Sequence, residues 1–309
     1  MTFHYSHNNH FYYDLDGVPW ATRTSKFQKF QVHIGSIDQD HYAKSNYRQE
    51  LLRVADLQYQ LMGKDVVVFL SGGADSEIVA RSFAGLGVKP TCVTVRFEND
   101  YNIEEVAEAA EVCKELDLPH TIIDFNVKDF YYSGEAAELC EEIQCSQIAF
   151  LVLLAVIDKM QIPSVIGCEL QLTKGISLDK SHWYMRLIEY MDTAHMKLAQ
   201  KINVPIVSEW FSYTPELMLY YLEQPELENL VYDPTNYKLS ITSTKNRVLK
   251  KLIPELRKKE KATGYEKLKG FHSEVNGNLS DLLIKPISNR GNGMSYPELI
   301  QRLKGYRND

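Results

Sequence analysis

Cysteine is scarce in this sequence, and its spacing shows no paired pattern. The 309 residues include 5 cysteines, and no two are separated by just two residues. They are Cys92, Cys113, Cys140, Cys145 and Cys168. An odd number without paired spacing argues against a disulfide framework and against a zinc or iron–sulfur site. The pattern predicts reduced thiols that pack as small apolar groups.

Long apolar runs and excess positive charge are also missing. The longest apolar stretch, Ile148 to Ile157, is about half the ~20 residues of a membrane helix and predicts a buried helix. The N-terminus lacks the basic and apolar regions of a signal peptide. A net charge of −7 gives no global attraction to nucleic acid or anionic membranes. We therefore expect a cytoplasmic protein without membrane contact, with nucleic acid a disfavoured partner.

The sequence does contain a regular alternation of strand and helix patterns. Continuous apolar, β-branched runs predict strands at 65–70, 90–97, 120–125, 163–167 and, further on, 204–211. Helical patterns predict helices over 41–62, 76–87, 103–118, 127–142, 146–160 and 189–202. Strands that alternate with helices at this spacing predict an α/β fold, an open parallel sheet with helices on both faces.

The pattern changes at both ends of this alternation, and we predict three regions. Residues 1–45 form a β-rich N-terminal extension, in which the turn at residues 14–17 predicts a hairpin. Residues 46–210 form the α/β domain. Residues 211–309 form a C-terminal helical region that completes the active site, with helix starts predicted at Thr214 and Ser295.

The loop after the first predicted strand, Ser71-Gly72-Gly73-Ala74-Asp75-Ser76, has the composition of an anion cradle. Ligands of open parallel sheets bind beyond the carboxyl ends of the strands, where the following helix points its free N–H groups. Gly72 and Gly73 allow close approach to the backbone, and Ser71 and Ser76 add hydroxyl donors. Asp75 would repel phosphate, but it is explained if it holds Mg²⁺ that bridges to the phosphates. The loop matches neither G-x-x-x-x-G-K-[ST] nor G-x-G-x-x-G.

Ser-Gly-Gly-x-Asp-Ser after a first parallel strand resembles the PP-loop of the ATP pyrophosphatase superfamily. Residues 48–80 are similar to the entry of the synthase domain of asparagine synthetases. The resemblance implies an adenine nucleotide alpha hydrolase-like fold, ATP with its β,γ-pyrophosphate in the loop, Mg²⁺, and transfer of AMP to a substrate oxygen. The nucleotide-binding residues would then include Ser71, Gly72, Gly73, Asp75 and Ser76.

A second stretch, residues 243–265, resembles the C-terminal part of the same synthase domain. The matching positions are Lys245, Pro254, Glu255, Lys259 or Lys261, Gly264 and Tyr265. The resemblance implies catalytic roles for Lys245 and Lys261 beside Asp75, because a lysine there would neutralise charge that develops on the phosphates.

Two further segments complete the implied site. The end of the second strand, Val95 to Phe97, would hold the adenine largely through backbone groups. After the fourth strand, Gly167 and Lys174 would bind the nucleotide and Glu169 would join Asp75 as a metal ligand, although the acidic loop of the family is reduced here.

The N-terminus also differs from that of asparagine synthetases, because Thr2 stands where their glutaminase domain has its nucleophilic cysteine. Ammonia or an amine would therefore come from solution or from a separate donor. We expect an AMP- and pyrophosphate-forming ligase that adenylates a small carboxylate or amide oxygen. The alternatives are a nucleobase- or tRNA-modifying enzyme, which the basic stretch 245–269 favours, and a non-catalytic nucleotide-binding protein.

Overall fold

A computed structural model of the 309-residue chain gives the architecture. The structure describes residues 11–15, 18–19, 30–167, 172–174, 183–185, 194–208, 210–232, 241–257, 264–268, 270–283 and 295–305.

The N-terminal strands form a small antiparallel sheet of their own. It contains β1 (Phe11–Leu15), β2 (Val18–Pro19) and β3 (Phe30–Ile34) in the order β2-β1-β3. β1 and β2 pair in antiparallel direction with Leu15 opposite Val18, the pairing that the predicted hairpin requires. The predicted helix over 41–62 is two helices, α1 (Gln39–Lys44) and α2 (Tyr47–Met62). They are separate because the side chain of Asn46 caps α2, accepting hydrogen bonds from the backbone N–H groups of residues 48 and 49.

The central sheet confirms the predicted fold class. The remaining strands are β4 (Val67–Phe69), β5 (Thr91–Phe97), β6 (His120–Phe125), β7 (Ser164–Ile166), β8 (Leu172–Lys174), β9 (Trp183–Met185) and β10 (Ile206–Val207). Five of them form a parallel sheet in the order β10-β7-β4-β5-β6, and β8 and β9 pair separately as an antiparallel ribbon.

Helices cover both faces of the parallel sheet. In chain order they are α3 (Ala74–Gly85), α4 (Ile103–Leu116), α5 (Val127–Tyr132), α6 (Glu135–Ile143), α7 (Ile148–Met160), α8 (Ala194–Ile202), α9 (Pro215–Leu222), α10 (Pro225–Tyr232), α11 (Ile241–Leu252), α12 (Phe271–Ser280) and α13 (Tyr296–Leu303). Residues alternate between faces along β4. Val68 packs in a core with α2, α3 and α9, and Phe69 packs in a second core with α6 and α7.

Some predicted boundaries were wrong. The helix expected over 127–142 is broken at Gly134, whose φ of +91° does not continue a helix. The fifth strand, expected over 204–211, covers only Ile206–Val207, and Trp210–Ser212 is a 3₁₀ turn. The predicted helix starts are confirmed, since the hydroxyls of Thr214 and Ser295 each accept a hydrogen bond from the first turn of the following helix.

The apolar helix predicted over 148–157 is α7, and most of its side chains are buried in the core. In the described part of the chain no single helix is long and apolar enough to cross a membrane; α6 and α7 together have the length and composition but meet at 90°. Cys92, Cys113, Cys140 and Cys145 are buried and form no disulfide with one another, as predicted. Cys168 lies outside the described residues. The three-region division of the chain stays a prediction.

Candidate nucleotide site

The loop after β4 lies at the point where the strand order of the sheet reverses. Counted along the chain, β4, β5 and β6 extend the sheet to one side, and β7 and β10 extend it to the other. The chain segments that leave β4 and β7 at their carboxyl ends therefore diverge and open a crevice, which is where ligands bind in sheets of this kind. The loop 71–76 and Gly167 both lie there.

Hydrogen bonds within the loop hold it in one conformation. The Ser71 N–H donates to Oγ of Ser76 at 3.2 Å, and the Ser76 hydroxyl donates to the carbonyl of Gly73 at 3.1 Å. Helix α3 begins directly afterwards with Gly73 as its N-cap, and no side chain caps it. The first-turn N–H groups, which no intrahelical acceptor can satisfy, point out of the helix into the loop region. A preformed loop with an uncapped helix N-terminus favours an anionic ligand.

The two loop glycines have different structural roles. Gly72 has a φ of +67°, and a Cβ there would lie 2.6 Å from the carbonyl oxygen of Glu105. Both conditions exclude other residues. Gly73 has an ordinary φ of −79°, and the atom nearest to a Cβ at this position would be the Ser71 hydroxyl oxygen at 3.4 Å. Gly73 is therefore not required by the fold, and the absence of a side chain leaves the backbone open to close approach by a ligand.

Gly167 joins β7 to the loop through backbone contact. A Cβ on Gly167 would lie 2.9 Å from both N and Cα of Ser76. The absence of a side chain thus lets the end of β7 pack directly on the first turn of α3.

A lysine from the C-terminal region contacts the loop after β4. Nζ of Lys245, on α11, lies 2.8 Å from Oδ2 of Asp75. Lys245 is only 7% exposed, so its charge is held where water screens it poorly. The side chain of Asp75 is 22% exposed. The structure therefore brings together two predicted catalytic residues that lie 170 positions apart in the sequence.

Three more contacts attach the C-terminal segment to α3 and α4. The backbone N–H of Arg257 donates to the buried carboxylate of Glu77 at 3.1 Å, and its guanidinium reaches Glu108 at 3.2 Å. Lys267 bonds Glu104 at 3.2 Å. These contacts lie beside the loop, so the described part of the C-terminal segment packs next to the candidate site.

A cavity of about 590 Å³ opens beside the loop. Five of the predicted ligand-binding residues line it: Ser71, Ser76, Val95, Phe97 and Gly167. Its other walls come from α7 and from Tyr265 and His272 of the C-terminal segment. This volume lies within the usual range for small-molecule and cofactor sites.

The strand edge that was expected to hold the adenine is already hydrogen-bonded to Asn102. The Asn102 amide donates to the carbonyl of Val95 at 2.8 Å, and its oxygen accepts from the N–H of Phe97 at 2.8 Å. Asn102 is 3% exposed and packs against Gly264. A Cβ added to Gly264 would lie 2.6 Å from the Cβ of Asn102. In this conformation the N–H of Phe97 is not available to a base, and the carbonyl of Val95 already accepts one hydrogen bond.

Arg96, between these two residues, points away from the cavity. Its guanidinium bonds Asp124 on β6 at 2.5 and 2.9 Å, which raises the pKa of the arginine and lowers the pKa of the aspartate. Neither residue lines the cavity. Of the three residues at the end of β5, only Val95 and Phe97 contribute to the candidate site.

Two buried tyrosines lie near the charged groups of the site. Burial and the charge of Asp75 raise the pKa of Tyr47 at the start of α2. Burial and the charges of Glu105 and Glu98 raise the pKa of Tyr265, whose ring meets that of Phe97 edge-on at 4.9 Å between centroids. Both phenols therefore stay protonated at neutral pH and can act as hydrogen-bond donors.

Other predicted residues fall where the structure gives no side-chain geometry. Glu169, Lys259 and Lys261 lie outside the described residues, and Lys174 lies in β8 without a described side chain. Within the described ranges no three His, Cys, Asp or Glu side chains are grouped to hold a metal. A Mg²⁺ bound mainly by phosphates needs only one or two protein carboxylates, and Asp75, at the loop and partly exposed, fits that requirement.

Sequence reasoning missed the roles of Asn102 and Arg257. Asn102 carries a weak signal, since an asparagine before a helical pattern indicates an N-cap. Its side chain makes no capping hydrogen bond and binds β5 instead. Arg257 belongs to a basic stretch in which no single residue stands out, so its contacts with Glu77 and Glu108 could be found only from the fold.

Comparison with known proteins locates a family match around this loop. Residues 49–162 match the model of the asparagine synthase family. The tRNA-specific 2-thiouridylase MnmA of Acidithiobacillus ferrooxidans is 31% identical over 111 residues, which cover 31% of each chain. The 7-cyano-7-deazaguanine synthase of Psychromonas ingrahamii is 38% identical over 75 residues, covering 24% of this chain and 34% of that one. The chain thus spans about a third of the length of these curated relatives.

Solved structures with partial likeness include two synthetases. The NMN synthetase of Francisella tularensis has 15% identity and a TM-score of 0.33, covering 80% of this chain and 99% of that one. The NH3-dependent NAD synthetase of Campylobacter jejuni has 18% identity and a TM-score of 0.32, covering 72% and 100%. The family match and the sequence relatives lead to one assignment: residues 49–162, which include the loop, belong to the PP-loop ATP pyrophosphatase superfamily, as the sequence predicted.

Proposed function

We propose that this protein is an ATP-dependent ligase that forms AMP and pyrophosphate. It adenylates a small carboxylate or amide oxygen and then lets ammonia or an amine displace the AMP. In the first step the substrate oxygen attacks the α-phosphorus and pyrophosphate leaves. In the second step the nitrogen forms the new C–N bond, AMP leaves with the electron pair of the broken C–O bond, and the nitrogen loses a proton.

The observation that supports this proposal best is the contact between Lys245 and Asp75 at the loop. A basic side chain that is 7% exposed lies where the outer phosphates of a nucleotide would be held. A fixed cation at that place stabilises charge that develops on the leaving pyrophosphate, and it does so without reorganisation during the reaction.

The remaining roles follow from position. The first-turn N–H groups of α3 and the hydroxyls of Ser71 and Ser76 bind the β- and γ-phosphates. Gly73 and Gly167 leave room for them. The cavity lined by Val95 and Phe97 takes the base end, which leaves the α-phosphorus between the two. Asp75 would hold Mg²⁺, together with Glu169 if that carboxylate reaches the loop, and the ion would supply positive charge against the phosphates.

The test is product analysis with Asp75→Asn, which keeps the shape of the side chain and removes its charge. The wild-type protein, given Mg-ATP and a metabolite extract, is expected to release AMP and pyrophosphate and to yield an adenylated species by mass spectrometry. Asp75→Asn should lower pyrophosphate release at least about a hundredfold. Asp56→Asn, on the exposed face of α2 and bonded only locally to Gln60, is the matched control and should retain wild-type rates. Release of ADP, or full turnover by Asp75→Asn, would refute the proposal.

The second candidate is a PP-loop enzyme that modifies tRNA or a nucleobase. It is favoured by the sequence match to a tRNA-specific thiouridylase and a deazaguanine synthase. The four described cysteines are buried, which does not favour sulfur transfer through any of them. Binding to tRNA, measured against salt concentration, separates the candidates. The ligase proposal expects no binding at physiological salt, whereas the alternative expects binding that weakens steeply as salt rises.

A further inference from the structure

One of the residues that line the base end of the cavity has a buried hydroxyl that the roles so far assigned do not explain. Tyr265 lines the cavity, and its hydroxyl has no hydrogen-bond partner among the described residues. A buried polar group without a partner is costly, and native proteins satisfy nearly all of them. A partner supplied by a ligand would remove that cost.

The neighbours of Tyr265 fix its position. Its ring packs edge-on against Phe97, with 4.9 Å between centroids, and lies 5.2 Å from the ring of His272. The preceding residue, Gly264, has a φ of +75° and packs directly on the backbone and Cβ of Asn102. Any side chain at position 264 would push Tyr265 away from the end of β5. The tyrosine is therefore held against the cavity by contacts on both sides.

Toward a ligand, the hydroxyl can either donate a hydrogen bond to an acceptor atom or accept one from an N–H or O–H group. Glu98 and Glu105 surround it with negative charge, which together with burial raises the pKa of Tyr265 and keeps the proton on the oxygen. Glu105 also lines the cavity. A neutral donor beside two carboxylates suits an uncharged, acceptor-rich group, which the nucleoside part of a nucleotide offers and its phosphates do not.

The backbone edge of β5 supports the same placement. Because Asn102 takes the N–H of Phe97 and one lone pair of the Val95 carbonyl, these two groups offer a base no hydrogen-bond donor. We propose that Tyr265 binds the nucleoside part of the nucleotide. Its hydroxyl donates a hydrogen bond to an acceptor atom of the base or ribose, and its ring and that of Phe97 pack against the base. This inference rests on the proposed nucleotide function and assigns a residue to the base end of that site.

The experiment uses the full chain and the variant Tyr265→Phe, which keeps the ring and removes the hydroxyl. Affinity is measured by calorimetric titration with ATP and, separately, with inorganic tripolyphosphate, and the melting temperature is recorded without ligand. Tyr265→Phe should bind ATP about three- to tenfold more weakly, the effect of one lost hydrogen bond. Its affinity for tripolyphosphate should stay unchanged. Its melting temperature should be equal or higher, because an unsatisfied buried hydroxyl has been removed.

Tyr131→Phe is the matched control. Tyr131 also belongs to an aromatic cluster with Phe271, but its hydroxyl accepts from Asn278 and it does not line the cavity. Its ATP affinity should equal that of the wild type. Unchanged ATP affinity in Tyr265→Phe overturns this inference and leaves the proposed function standing. A lower melting temperature with equal weakening for both ligands also overturns it, since that shows a structural role. If neither ligand binds the wild-type protein, the proposed function falls, and this inference falls with it.

Discussion

The phosphate end and the base end of the candidate site are built in different ways. At the phosphate end, six consecutive residues make most of the site, and their hydrogen bonds join residues at most five positions apart. At the base end, Phe97 and Asn102 meet Gly264 and Tyr265 from far along the chain. A local motif can be recognised from sequence because consecutive residues determine its geometry. The base end exists only once the C-terminal segment has docked.

Lys245 is the exception at the phosphate end, and replacing it should have the largest effect. We expect Lys245→Ala to lower the rate of AMP formation about a hundredfold, because the fixed cation beside the phosphates is lost. ATP affinity should fall less than tenfold, since the loop and helix α3 remain. Rapid-quench measurement of AMP formation and calorimetric titration separate the two effects.

Lys251→Ala is the control for this measurement. Lys251 lies on the same helix, but its side chain is half exposed and pairs with Glu226 at 3.0 Å. Its loss should leave the rate of AMP formation unchanged. Equal rates of AMP formation for Lys245→Ala and the wild type would show that the loop 71–76 and the start of α3 form the phosphate end without Lys245.

The two loop glycines sharpen the comparison, with a smaller expected effect. Gly72→Ala should lower the free energy of unfolding by about 1–3 kcal/mol, because the left-handed backbone and the contact with Glu105 both exclude a Cβ. Gly73→Ala should leave the free energy of unfolding nearly unchanged while it weakens ATP binding, because the added methyl group meets the Ser71 hydroxyl oxygen only at 3.4 Å and otherwise takes space left for the ligand. Urea denaturation and ATP titration of both variants measure these effects. If Gly73→Ala binds ATP as the wild type does, the glycine does not serve ligand approach.

Arg96→Ala should have the smallest effect. The arginine is next to the residues of the base end in sequence, but its side chain pairs with Asp124 on the exposed side of β6. We expect no measurable change in ATP affinity by calorimetry. A clear loss of ATP affinity would show that the nucleotide reaches past the end of β5. The base would then bind near Arg96 and not beside Tyr265.

The sequence predicted the parallel sheet, the loop and the position of Lys245 beside Asp75, because each depends on a local pattern or on a motif resemblance. It did not predict that the Asn102 side chain would occupy the strand edge, because an asparagine before a helix normally caps that helix. Helix breaks at Asn46 and Gly134 were missed for the opposite reason: the residues carried the signal, but the apolar periodicity continued across them. Contacts such as that of Arg257 with Glu77 join distant segments, and only the folded chain specifies them.

The packing of Gly167 on Ser76 limits how this protein can admit a ligand. With backbone against backbone, so close that a Cβ would lie 2.9 Å from its neighbours, the tip of β7 and the start of α3 have no side chains between them that a rotamer change could shift. The crevice floor is therefore rigid. The segment bearing Gly264 packs on Asn102 just as closely, so a ligand of this crevice would have to enter without a change at either contact.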